Sequence, residues 1–196
     1  KSVFVHGNLT AKNHSGRGVW AIFNIGLDGT EHLVENNLDG GMWAANGWID
    51  IKGRLTARGN KVGGHHGEED SPNRTDVLVG AIEAYRSLHA EDIVIENNIP
   101  TGISSWAHMT INGNAVVKNN ALRGIYAHDN IAILGSEHVI MGNGGVGVSP
   151  YFGSLVVRGH ILVEGNGGAE DEGFGVWGKT IEMDNVTARG NHKDGI

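Results

Sequence analysis

The sequence predicts an all-β solenoid, a stack of about eight short turns built from parallel strands. Three observations carry that expectation. A short motif returns about every 23 residues, apolar residues alternate with period two on either side of it, and a column of charges changes sign from one copy to the next. No single unit of this kind can bury its own apolar face, so the stack has to supply the core.

The motif is clearest in VVKNNALRGIY, residues 116–126. Aligned on the second Asn, the column reads His14, Asn37, Asn60, Asn98, Asn120, Asn143, Asn166 and Asn191, with spacings of 23, 23, 38, 22, 23, 23 and 25. The preceding column holds only Asn or Gly: Asn13, Asn36, Gly59, Asn97, Asn119, Gly142, Gly165 and Gly190. These two residue types best tolerate positive φ, so a sharp bend is expected at each copy. Four residues past the aligned Asn comes Gly (Gly18, Gly41, Gly102, Gly124, Gly147 and Gly195), delayed to Gly80 and Gly175 where a copy is longer. Stacked Asn amides can bond one another and the bend backbone, satisfying groups that a tight turn would otherwise orphan.

The flanks read as strands. Three residues before the Asn column stand Ala11, Val34, Ala57, Ile95, Val117, Ile140, Val163 and Ala188, all expected to point inward. The next column reads Lys12, Glu35, Arg58, Glu96, Lys118, Met141, Glu164 and Arg189, alternating in sign apart from Met141. Strands about 4.8 Å apart would set opposite charges side by side. After each Gly a further strand points Val19, Met42, Ile82, Ile103, Ile125, Val148 and Val176 inward. The stretch TDVLVGAIEAYRSLHAED could open with a short helix. Its alternation favours a strand with Ile82 and Ala84 inside, and Glu83 and Tyr85 outside. Each turn then has roughly three short strands and three bends.

The Asn or Gly before Asn, followed by Gly-Ile or Gly-Val, resembles the parallel β-helix repeats of the pectate-lyase-like superfamily over nearly the whole chain. That resemblance implies a right-handed single-stranded parallel β-helix with an Asn ladder at one bend, and the general crossover preference has the same hand. It implies no one activity, since the fold hosts lyases, hydrolases, epimerases, adhesins and structural proteins.

Composition narrows the rest. The 196 residues suit one domain over 1–196, interrupted by a long insertion at 61–79. There are 32 Gly and 3 Pro, which fits many tight turns. A net charge of −7 argues against a nucleic-acid partner. No apolar run approaches the length of a membrane span, so no membrane insertion is expected. Cys is absent, which leaves the compartment open; a secreted or cell-surface location is the expectation from the resemblance. The chain opens on KSVFV, already strand-like, and closes on NHKDGI in mid-repeat. We therefore expect open edges at residues 1–5 and 192–196, covered by flanking sequence or by end-to-end self-association.

Candidate functional residues gather on the strand after the Gly. Its outward positions include Trp20, Trp43, Tyr85, Trp106, Tyr126, Tyr151 and Trp177, with Arg123 as a polar neighbour. A row of exposed rings suits stacking against sugar rings, so a polysaccharide or other glycan is the expected partner. The alternatives are rings covered by loops, a carbohydrate-active enzyme (lyase, hydrolase or epimerase), and a structural stalk or filament subunit. Catalysis would fall to Glu83, His128 and Asp129, with Glu83 and His128 two turns apart, about 10 Å. That is wide for an inverting carboxylate pair, and only one of the two is a carboxylate. The insertion gathers His65, His66, Glu68 and Asp70, a candidate set for a divalent cation such as calcium; Glu170, Asp171 and Glu172 form a second acidic stretch. A solvated polar loop is the simpler reading of both stretches. Four N-x-S/T sequons stand at Asn8, Asn13, Asn73 and Asn185, in a sequence where Asn and Thr are common anyway.

Overall fold

The computed structural model describes residues 1–61, 80–168 and 173–196. Every named element in it is a β-strand, and every strand pair is parallel. The chain winds as a β-solenoid of about seven turns, the eight aligned positions from His14 to Asn191 bounding seven intervals.

Each turn carries three strand segments, as the alternation predicts. The first face is a six-stranded sheet of β3 (Val19–Ala21), β5 (Met42–Ala44), β7 (Gly80–Ala84), β10 (Thr101–Ser105), β13 (Ile125–Ala127) and β16 (Val148–Pro150). The other two faces belong to one twelve-stranded sheet. They are continuous because β4 (Ile25–Glu35), β6 (Ile49–Arg58), β17 (Ser154–Glu164) and β18 (Thr180–Arg189) run through the corner between them. The register shifts there, between Asp28 and Glu31 and between Val157 and His160. The 38-residue interval returns as strand: β7 pairs Ile82 with Met42 and Ile103, both inward, and no helix forms at 80–90.

Inward columns from all three faces make one apolar core. Ile82, Ile103, Ile125 and Val148 stack from the first face, and Val34, Ala57, Ile95, Val117, Ile140 and Val163 from the third. Ala188, expected inside, is exposed: β18 has a strand neighbour only in β17 among the described residues, so its inner side opens to solvent. Two inward positions hold histidine. His32 and His138 accept at Nδ1 from the backbone N–H of Leu9 and Ala115, each at 3.2 Å. Each offers Nε2 to a corner carbonyl, Lys52 or Arg158, at 2.9 Å. Buried imidazoles at these corners are satisfied structural groups.

The Asn column is a continuous buried ladder. Asn37, Asn60, Asn98, Asn120 and Asn143 each donate from Nδ2 to Oδ1 of the next member, at 2.9–3.1 Å. Asn166 donates to Asn191 in the same way at 3.1 Å. The second Nδ2 proton goes back to an inward strand carbonyl of the preceding turn, as Asn143 does to Val117 at 3.2 Å. His14 closes the column by donating its backbone N–H to Asn37. All eight preceding residues have positive φ, from 52° at Asn36 to 63° at Gly59 and Gly142. The Gly after the ladder has a different cause. A Cβ on Gly124 would lie 2.6 Å from the Gly147 carbonyl and 2.9 Å from the Asn143 amide, so a side chain there would push the turns apart.

Candidate functional site

The first face presents its outward residues as two columns, because period two and parallel register repeat the same positions turn after turn. One column runs Trp20, Trp43, Glu83, Ser104, Tyr126, Ser149 and Trp177. The other lies two residues further along and holds Tyr85, Trp106, His128 and Tyr151.

The second column is a row of rings. Tyr85 and Trp106 have centroids 6.0 Å apart, Trp106 and His128 6.2 Å, and His128 and Tyr151 6.2 Å. Trp177 continues it from the first column, 5.8 Å from Tyr151. Phe152 stands edge-on to both His128 and Tyr151, at 4.8 and 4.4 Å. Tyr85, Tyr151, Phe152 and Trp177 are exposed, and Trp106 and His128 half-exposed. Trp20 is exposed at the low-numbered end.

The middle of the first column points outward but is covered. Glu83 is 5% exposed, Tyr126 4% and Arg123 6%. Arginines sit over rings of this column: Arg17 Cζ is 4.0 Å from the Trp43 ring centroid and Arg123 Cζ 4.7 Å from that of Tyr126. Trp43 and Tyr126 thus offer less ring surface than their outward register implies. Glu83 accepts a hydrogen bond from Trp106 Nε1 at 3.3 Å, which ties the buried carboxyl to the exposed row. His128 Nδ1 stands 3.5 Å from Asp129 Oδ1 at the surface. Glu83 and His128 face the same side two turns apart, and Asp129 is associated with His128.

Beside the row, Arg123, Val146, Ser149, Tyr151, Phe174 and Trp177 line a cleft of about 220 Å3. Reading the sequence did not bring out Phe152, Phe174, Val146 or Arg17. Phe152 and Phe174 fall in bends, where no strand period applies. Arg17 shares a signal with Arg123, since both stand immediately before the column Gly, in RGVW and RGIY. On another face, Arg158 donates to Glu182 at 2.6 Å and to Asp184 at 3.2 Å; the hydrogen bond to Glu182 raises the guanidinium pKa above its ordinary value.

The cation candidates His65, His66, Glu68 and Asp70, the sequon at Asn73 and the rest of the 61–79 insertion after Lys61, and the acidic stretch 170–172, lie outside the described residues. Among the described residues no group of three or more His, Cys, Asp or Glu could hold a metal ion. No helix among them is long and apolar enough to cross a membrane. No protein-family model, curated protein or solved structure matches the chain.

Proposed function

We propose that the first face binds an extended polysaccharide along its row of rings. The observation that carries this is the run Tyr85, Trp106, His128, Tyr151 and Trp177, at centroid steps of 5.8–6.2 Å and open to solvent on its outer side. A core has no need of such a row, and exposed apolar surface in a line serves contact. Sugar rings present flat C–H faces that stack on aromatic side chains, while their hydroxyls stay wet in an open groove. The resemblance of the repeat to the pectate-lyase-like superfamily favours a carbohydrate, and an extracellular or cell-surface location agrees with it.

A glycan array followed by affinity electrophoresis on the hits tests this. Trp106→Ala should weaken binding of a hit by about 1–3 kcal/mol, the size of a lost buried aromatic contact. A carbohydrate-active enzyme is the second reading, favoured by the buried Glu83 carboxyl held by Trp106 beneath the row. In that case Glu83→Gln abolishes turnover of the bound glycan and leaves binding intact; in a pure binder it changes little. No array hit, together with concentration-dependent oligomers by light scattering, would instead favour the stalk reading in which copies stack end to end.

A further inference from the structure

The first outward column is large, small, large near its high-numbered end. Tyr126 and Ser149 pair on neighbouring strands, and Trp177 follows Ser149 in register beside the isolated bridge between Val148 and Val176. A serine between two aromatic residues leaves room, and the resulting hollow of about 220 Å3 is lined by Arg123, Val146, Ser149, Tyr151, Phe174 and Trp177. Arg123, Val146 and Ser149 are buried, whereas Tyr151 and Trp177 are exposed, so the hollow opens on the side of the rings. The Arg123 guanidinium is positioned by the Tyr126 ring 4.7 Å beneath it. A second cation stands nearby, with Lys193 Nζ 5.5 Å from the Phe174 ring centroid.

The lining selects an occupant. Among the described residues its polar side-chain groups are the Arg123 guanidinium, the Ser149 and Tyr151 hydroxyls and the Trp177 Nε1–H, and Val146 and Phe174 are apolar. A sugar ring is a poor fit, because it carries hydroxyls around its rim and each one buried without a partner opposes binding. A planar aromatic acid carries one anionic group and a flat apolar body, which matches one guanidinium among aromatic walls. Size agrees: an apolar cavity of about 150 Å3 holds a benzene ring, so this hollow has room for a ring and a short carboxylate arm. A guanidinium has five N–H donors, so an internal partner still leaves donors for a ligand.

We propose that this hollow is a binding site for a small planar aromatic carboxylate, stacked against Tyr151 and Trp177 with its carboxylate on Arg123. The hollow shares Tyr151 and Trp177 with the row, whereas Trp106 and Tyr85 take no part in its lining, so a change at Trp106 separates the two sites.

Isothermal titration with cinnamate, and with cinnamamide as its uncharged counterpart, tests the proposal. Cinnamate should bind at one saturable site with a Kd of about 1 mM or tighter, and cinnamamide at least about tenfold more weakly. Ser149→Phe should fill the hollow and abolish cinnamate binding while the protein stays folded, because the same column already accommodates Tyr126 one strand away. Trp106→Ala, which weakens polysaccharide binding if the row binds glycans, should leave cinnamate affinity within about twofold. No saturable cinnamate binding, equal affinity for the acid and the amide, or cinnamate binding that survives in folded Ser149→Phe would each overturn the assignment. If Ser149→Phe does not fold, the acid and amide compared on the unaltered protein still decide it.

Discussion

An asparagine at the ladder position must donate and accept at once. Asn120 receives the backbone N–H and the Nδ2 proton of Asn98 on its Oδ1, at 3.1 and 3.0 Å, and passes its own Nδ2 protons to Asn143 and to the Ile95 carbonyl. Asp lacks the donor, and Ala lacks both groups. Asn120→Ala should therefore lower stability by about 1–3 kcal/mol for each buried group left unpaired; an unchanged denaturant midpoint would contradict a satisfied ladder. Gly124 and Gly16 form a matched test of close approach. A Cβ at Gly124 meets a backbone carbonyl at 2.6 Å, whereas one at Gly16 meets nothing within 4 Å. Gly124→Ala should destabilise by about 1–3 kcal/mol through overpacking. Gly16→Ala should change stability by less than about 1 kcal/mol, and thermal melts of the pair separate the two effects.

At the scale of the strand, register is held by what lies on both faces. Core columns set which side faces in, since a one-residue slip would turn every inward Val and Ile to solvent. The charge column adds to that on the outer side: Lys12, Glu35, Arg58 and Glu96 are direct neighbours, and Arg58 Nε meets Glu35 Oε1 at 2.7 Å. At the far end Arg189 meets Glu164 at 3.0 Å. Such half-exposed pairs are individually modest. Glu35→Lys removes one ion pair and sets a lysine between Lys12 and Arg58, so we expect a loss of about 0.5–2 kcal/mol. Raising the salt to about 1 M should recover much of it; a loss insensitive to salt would mean packing, not charge, holds this column. Strand geometry also creates the candidate site. Outward positions two residues apart become two columns, one exposed and ringed, the other partly covered by arginines.

For the molecule as a whole, stability is a sum over neighbouring turns. Deleting residues 120–142 removes one 23-residue turn and joins Asn119 directly to Asn143, which keeps the ladder, the Gly column and the inward columns in phase. That variant should fold and give a β-rich circular dichroism spectrum with a lower melting temperature. Deleting residues 120–131 removes a partial turn and should abolish cooperative melting. If both deletions unfold the chain, stability does not reside in independent neighbouring turns.

Much of the fold is legible in the sequence, for one physical reason. In a stack the same local environment recurs every turn, so positive φ, the amide ladder, close backbone approach and inward packing each leave a column in the sequence. Asn97 and Gly142, Asn120 and Asn143, Gly124 and Gly147 could be read in this way. The outward register of Glu83, Trp106 and Tyr126 followed from the same period. Tertiary structure alone decided which outward residues are open: Tyr126 and Glu83 share an outward register with Trp20, yet they are buried and Trp20 is not. It also decided that Phe152 and Phe174, from bends, join rings from strands, and that Ser149 between Tyr126 and Trp177 leaves a hollow. Period two states which way a side chain points, whereas its cover comes from bends and neighbouring turns that follow no period.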